Sequence, residues 1–260
     1  MTWLEALILG LLQGLTEFLP VSSSGHLELG KVVLDIEAKE NLTFSILVHA
    51  ATVLSIIVVF FKDLRALAEG LFRFEWNEET IYTFKIAVSM IPVAIVGIFF
   101  MTEVESVYTG NIVFVGSMLL VTASLLLLTY LARSKDKDVT WRDAFIMGIA
   151  QAFAVLPGIS RSGATIATGL FLGVRKDLVT KFSFLMVLVP IIGATFFDII
   201  RDSDPSQVTI GLVPLIIGFV AAFLSGLFAC RVMLSVVRKG KLIYFAIYCI
   251  IVAFTAIFFG

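Results

Sequence analysis

The chain has 260 residues, 59% of them apolar and only 15% charged, with a mean hydropathy of +1.04. A soluble domain is about half apolar and about a quarter charged. So much apolar surface excludes a soluble core of this size, and the chain reads as an integral membrane protein. The net charge of −1 gives no case for a nucleic-acid partner. Cys230 and Cys249 sit in apolar stretches without metal-like spacing and read as small buried hydrophobes. The first residues lack a basic stretch and a small-residue cleavage site, so the start reads as mature chain rather than signal peptide.

In chain order, the first predicted element is a broken one. Trp3–Thr16 is apolar, is interrupted at Pro20, and is followed by a second short apolar piece, Leu27–Leu34. Each arm is too short to cross about 30 Å of hydrocarbon, and proline prevents one continuous helix. The pattern predicts a re-entrant helical hairpin over residues 3–34. Three spans follow, Phe44–Phe61, Ile81–Met101 and Ile112–Leu131. Lys62–Thr80 is the longest and most charged connection, and its charge run Glu69–Glu79 reads as a solvated loop or surface helix. Asp143–Ala154, the break at Pro157-Gly158 and Ala164–Val174 then predict a second hairpin over residues 141–174. Three more spans complete the chain, Phe182–Ile200, Gly211–Ala229 and Leu242–Phe259. Irregular backbone at membrane depth is tolerated only inside protein or beside water, so each hairpin marks a site.

The two hairpins are copies. Trp3–Gly25 aligns with Trp141–Gly163 without a gap at an offset of 138, with Trp3/Trp141, Gly10/Gly148, Gln13/Gln151, Ser22/Ser160, Ser24/Ser162 and Gly25/Gly163 identical. Phe44-Ser45 and Phe182-Ser183 match at the same offset. The predicted fold is an all-α polytopic membrane protein with six transmembrane helices, two re-entrant hairpins and an internal repeat, residues 1–138 and 139–260. With hairpins that return to their own side, fourteen Lys and Arg fall on one face and three on the other, while Lys85 and Arg161 lie inside apolar segments. The rich face is cytoplasmic by the positive-inside rule, which puts both termini outside. Three spans per half make the repeats inverted, so the hairpin tips can meet near the midplane.

The copies differ where chemistry is concerned. The first carries Glu17 and His26 where the second has Val155 and Ala164; the second carries Arg161 where the first has Ser23. Gln13 and Glu17 are four apart and share a helix face. An ionisable group at membrane depth is costly and points to function. Ser22, Ser23 and Ser24 follow Pro20 and can cap a helix, whose free amides would also bind an anion. Ser160, Arg161, Ser162, Gly163 and Thr165 combine hydroxyls, a helix start and a fork-shaped cation, a pattern suited to phosphate oxygens. An ion pair between Arg161 and Glu17 is the structural alternative, and it too would put both residues at one point. His49 reads as a packed polar residue, and the 24 Phe as lipid-facing and packing surface.

The segments Gln13-Gly-Leu-Thr-Glu17-Phe-Leu-Pro-Val-Ser-Ser-Ser-Gly-His26 and Pro157-Gly-Ile-Ser-Arg-Ser-Gly-Ala-Thr165 resemble the two signature motifs of the bacterial undecaprenyl-diphosphate phosphatases of the bacitracin-resistance type. The resemblance covers the whole chain. It implies removal of one phosphate from undecaprenyl diphosphate to give the monophosphate carrier of cell-wall synthesis, in the plasma membrane. It further implies a divalent cation, Mg²⁺ or Ca²⁺, and a site open to the periplasmic side. By position, Gln13 and Glu17 match the family's acidic pair, Ser22, Ser23, Gly25 and His26 its serine–histidine turn, and Ser160, Arg161, Ser162 and Thr165 its arginine motif. Ser24 stands where a threonine also fits. Gln13 is the neutral option, which leaves Glu17 as the one motif carboxylate for metal.

On this reading Glu17, Ser23, His26 and Arg161 are catalytic, with Ser23 the nucleophile and His26 its general base, or with His26 itself as nucleophile oriented by Glu17. Gln13, Ser22, Ser24, Gly25, Ser160, Ser162 and Thr165 bind the long-chain polyprenyl diphosphate. A homodimer is compatible with the sequence, which does not set the oligomeric state. The rival is a transporter or flippase for a polyprenyl phosphate lipid, because inverted repeats with broken helices are also transporter construction.

Overall fold

The computed structural model describes residues 1–34, 41–107, 111–132, 136–201 and 210–259. Lys39, Arg133 and Lys135, which enter the charge asymmetry, lie outside them. The described residues form α1 (Trp3–Phe18), α2 (Ser23–Val33), α3 (Asn41–Val59), α4 (Phe61–Phe72), α5 (Glu78–Phe99), α6 (Met101–Val107), α7 (Ile112–Leu128), α8 (Trp141–Phe153), α9 (Arg161–Phe171), α10 (Lys176–Arg201), α11 (Leu212–Arg238) and α12 (Ile243–Phe259).

Among the described residues, three helical stretches are long and apolar enough to cross a membrane, Glu78–Phe99, Ile112–Leu131 and Leu212–Arg238. Thr43–Val59 and Phe61–Phe72, bent by 77°, qualify together as a fourth, and Ile243–Phe259 is a shorter apolar helix. Large apolar side chains such as Ile98, Phe228 and Phe258 face outward. The fold is that of a multi-pass membrane protein. Cys230 and Cys249 are buried free thiols, as read from the sequence.

Several boundaries depart from expectation, and α11 runs on to Arg238 where the predicted span ends at Ala229. The connection Lys62–Thr80 is mostly helix α4, because Leu64 and Leu67 pack against the core while charged neighbours stay outside. Asn77 then ends α4 and starts α5: its Nδ2 donates to the Gly70 carbonyl at 3.0 Å, and its Oδ1 accepts from the Thr80 amide at 2.8 Å. Helix α10 starts at Lys176 rather than Phe182, with Asp177 favourable at its positive end.

The hairpin arms begin alike. Thr2 with Glu5, and Thr140 with Asp143, form capping boxes at the starts of α1 and α8, again 138 residues apart. Helix α2 folds back along α1, and a Cβ on Gly30 would meet the methyls of Leu12 and Leu9. The ends of the second hairpin are tied together by the Lys137–Val174 bridge, in which the Arg175 amide donates to the Lys137 carbonyl at 3.1 Å.

Each first arm packs mainly on a helix of the other half, α1 on α11 and α8 on α5. Small residues allow it. A Cβ on Gly10 would lie 2.5 Å from the Gly218 carbonyl oxygen, and one on Gly14 would lie 2.4 Å from that of Ala222. On Gly148 it would lie 2.3 Å from the Ser89 carbonyl oxygen. Helices α7 and α12 also pair, and α3 lies against α10 and α11. Phe18, Phe182 and Phe184 are buried in the largest apolar cluster of the described residues.

Candidate active site

The two turns are built by the same hydroxyl chemistry. Ser22 Oγ accepts the Gly25 amide at 3.3 Å and caps α2; Ser160 Oγ accepts the Gly163 amide at 3.0 Å and caps α9. Each cap also meets the serine two positions on, Ser22 with Ser24 at 3.3 Å and Ser160 with Ser162 at 3.2 Å. The repeated serines and glycines are thus accounted for by capping. The turns themselves are sharp. Ser22 has φ 69°, a left-handed conformation that non-glycine residues rarely adopt, and Gly158 has φ 95°.

The turns meet. Ser162 Oγ donates to the Leu19 carbonyl at 3.4 Å, and a Cβ on Gly25 would sit 3.1 Å from Gly158 Cα. At this junction Glu17, with its side chain only 3% exposed, gathers three donors. Gln13 Nε2 donates to Oε2 at 3.0 Å, and Ser23 Oγ donates to the same oxygen at 2.5 Å. Arg161 Nη2 donates to Oε1 at 2.8 Å, linking the two hairpins. Four sequence-predicted residues therefore form one hydrogen-bonded cluster. The Arg161–Glu17 ion pair foreseen as an alternative is present, and it lies at the centre of that cluster.

His26 is buried at the edge of this group. Its Nδ1 lies 2.8 Å from the Ser22 carbonyl and its Nε2 lies 2.9 Å from the Tyr248 hydroxyl. Ser23 is therefore hydrogen-bonded to Glu17, not to the histidine expected as its base. Thr165 is wholly buried, its hydroxyl donating to the Arg161 carbonyl at 2.8 Å and meeting Ser183 of α10. It fastens α9 to α10 instead of joining the cluster.

Several contributors escape a sequence reading. Thr122 on α7 holds the second turn from both sides, its Oγ1 donating to the Gly158 carbonyl at 2.9 Å and accepting the Ser160 amide at 3.0 Å. Its signal is one hydroxyl among three in α7, beside Ser117 and Ser124, which is faint. Tyr248 reads as one more aromatic on a lipid-facing helix. His49, read as a packed polar residue, sits against the Ser45 carbonyl at 2.8 Å.

Among the described residues no three His, Cys, Asp or Glu side chains converge. The oxygen donors available to a hard cation are the Glu17 carboxylate, the Ser23 hydroxyl and Gln13 Oε1, which is buried without a hydrogen-bond partner.

Comparison with known proteins identifies the family. Residues 6–255 match the family model described as "Bacitracin resistance protein BacA". A protein of Bacteroides fragilis named "Undecaprenyl-diphosphatase" is 53% identical over 260 residues, covering 99% of this chain and 98% of its own. Relatives with the same name in Parabacteroides distasonis and Salinibacter ruber are 51% and 41% identical, again over at least 97% of both chains. The hairpin site and these matches together lead to one conclusion: the chain belongs to the bacitracin resistance protein BacA family.

Proposed function

We propose that this chain is an undecaprenyl-diphosphatase, which hydrolyses undecaprenyl diphosphate to undecaprenyl phosphate and inorganic phosphate and so recycles the lipid carrier for cell-wall synthesis. The observation that carries the reading is the Gln13–Glu17–Ser23–Arg161 cluster, in which an acid and a hydroxyl from one hairpin meet a guanidinium from the other. The transporter alternative is not favoured. Gripping a head group requires no acid–hydroxyl pair, and the close relatives bear an enzyme's name.

Phosphoryl transfer depends on positioning and on neutralising charge. Arg161 and the amides at the starts of α2 and α9 supply the positive surface for the diphosphate. Ser23 is the nucleophile. Its bond to Glu17 makes that carboxylate the group in place to take the proton as Oγ attacks the terminal phosphorus. The P–O bond to undecaprenyl phosphate breaks, and the proton passes to the leaving phosphate. Water then attacks the phosphoserine, His26 accepts the water's proton, and inorganic phosphate leaves as Ser23 regains its hydrogen. Gln13, Ser22, Ser24, Gly25, Ser160 and Ser162 shape the pocket for the head group, while Thr165 supports it from behind. A divalent cation, Mg²⁺ or Ca²⁺, fits the oxygens of Glu17, Gln13 and Ser23; when bound it neutralises charge on the phosphate oxygens.

We further infer six spans and two re-entrant hairpins arranged as inverted halves, 1–138 and 139–260. The exchange of α1 onto α11 and α8 onto α5 supports this. So do the basic loops. Asp136, Arg175, Lys176, Asp177 and Arg238 line one cavity of about 530 Å³, and Lys181 pairs with Asp63 on the 61–72 helix. The positive-inside rule makes that face cytoplasmic, leaving the site open to the periplasmic side of the inner membrane, with both termini outside.

The test is phosphate release from undecaprenyl diphosphate by the protein purified in detergent. Release with added Mg²⁺ or Ca²⁺ is expected to stop with EDTA. It is expected to fall by roughly two orders of magnitude or more in Glu17→Ala, His26→Ala and Arg161→Ala. A trapped phosphoenzyme is expected to be acid-stable phosphoserine. Acid-labile label would transfer the nucleophile's role to His26, and a wild type that releases no phosphate with either metal removes the enzyme reading.

A further inference from the structure

We propose that Tyr248 is a positioning residue for His26, fixing the plane of its ring and the nitrogen it offers to the reaction. The inference rests on the diphosphatase reading and on a part for His26 in it, and it starts from the two contacts of that imidazole. Nδ1 lies 2.8 Å from the Ser22 carbonyl, which can only accept, so Nδ1 carries a hydrogen. In the neutral ring the other nitrogen, Nε2, is then a lone-pair acceptor, and the Tyr248 hydroxyl 2.9 Å away donates to it. For Nε2 to take the water's proton the hydroxyl turns its hydrogen away, and it then accepts from the protonated nitrogen, because phenol does both. The two rings lie within 11° of parallel, with centroids 5.5 Å apart. Ser22 therefore sets the tautomer, and Tyr248 sets where Nε2 points in either protonation state.

The partnership crosses the whole chain, since His26 is on α2 and Tyr248 is 222 residues later on α12. Position 248 is anchored rather than loose. The next residue, Cys249, is fully buried with its Sγ 3.8 Å from the Pro20 carbonyl of the same hairpin turn. Tyr248 itself is 42% exposed, so its ring is only part of the wall, and its hydroxyl is the part aimed inward. A side chain kept for lipid contact alone would present no such alignment. Tyr244, one turn earlier and 63% exposed, has that lipid-facing character and makes the natural control.

The test separates hydroxyl from ring. Tyr248→Phe keeps the ring and removes the donor; Tyr248→Leu removes both. In full-length protein in detergent, Tyr248→Phe is expected to lower kcat for phosphate release about tenfold, the value of one lost hydrogen bond, with KM unchanged within about twofold. Tyr248→Leu falls as far or further, and Tyr244→Phe matches wild type. A second readout needs no turnover. The chain has two histidines, so ¹⁵N-histidine labelling gives two imidazoles, with His26 assigned by its loss in His26→Asn. In wild type its Nδ1 is expected protonated and its Nε2 unprotonated, and Tyr248→Phe is expected to move the Nε2 resonance while leaving His49 in place. Wild-type kcat in Tyr248→Phe together with an unmoved Nε2 resonance overturns the proposal. If wild type releases no phosphate, the diphosphatase reading fails, while the resonance still decides whether Tyr248 holds His26.

Discussion

Glu17 has more partners than a structural carboxylate needs, and their separate contributions can be measured. Its side chain is 3% exposed and its ion-pair partner Arg161 26% exposed. Removing the arginine leaves a buried charge with only neutral donors. Breaking a fully buried pair costs about 3–5 kcal/mol, and the partial exposure of Arg161 lowers the expectation for Arg161→Ala to about 2 kcal/mol. The double variant Glu17→Gln/Arg161→Ala is expected to lose less than Arg161→Ala alone, since no charge is stranded. Denaturant unfolding in detergent reads the difference, and an Arg161→Ala protein as stable as wild type would show that the pair does not hold the hairpins together. At this scale the ionisable residues are legible from sequence, because charge inside an apolar segment is expensive and therefore conspicuous. Neutral partners give no such signal. Nothing local distinguishes Tyr248 from Tyr244, or marks Thr122 as the clamp on a turn that lies 36 residues ahead.

The hairpin arms owe their close approach to glycine, and the consequences differ sharply with position. Gly148 has the Ser89 backbone against it, where a Cβ would lie 2.3 Å from a carbonyl oxygen that no side-chain rotation can move. Gly97, in the last turn of α5, has nothing within 4 Å of the same atom. Gly148→Ala is expected to cost about 1–3 kcal/mol through forced separation of α8 from α5. Gly97→Ala is expected to be neutral or to stabilise by up to about 1 kcal/mol through helix propensity. Thermal unfolding of the two variants side by side checks this, and equal midpoints would contradict the close-packed crossing. Proline and glycine made the hairpin breaks readable in advance, and apolar length did the same for most long helices. The connection Lys62–Thr80 misled because its charge density hides the spacing of Leu64 and Leu67, whose burial makes it a helix. Periodicity over one short, charged window is weaker than the tertiary surface it packs on.

Across the whole molecule, the repeat was visible as identities at a fixed offset, but the way the halves embrace was not. Sequence similarity says that two arms fold alike; it does not say that α1 will lie on α11 and α8 on α5. That exchange has a physical consequence, because neither half can bury its own hairpin without the other. The chemistry is divided in the same way: Gln13, Glu17, Ser23 and His26 come from the first half, and Arg161 and Tyr248 from the second. A chain divided just before Asp136 keeps the Lys137–Asp143 pair and the Lys137–Val174 bridge with the second hairpin. Expressed alone, residues 1–135 and residues 136–260 are each expected to release no phosphate from undecaprenyl diphosphate. Expressed together, they are expected to copurify through a tag on either one and to recover part of the intact activity, since the contact between them is the packed interior of the protein and not a surface patch. The recovered activity should vanish when Arg161→Ala is carried by the second piece, although the two pieces still copurify. Phosphate release by either piece alone would mean that the site is complete within one half, and the interdigitated arrangement would then have no catalytic meaning.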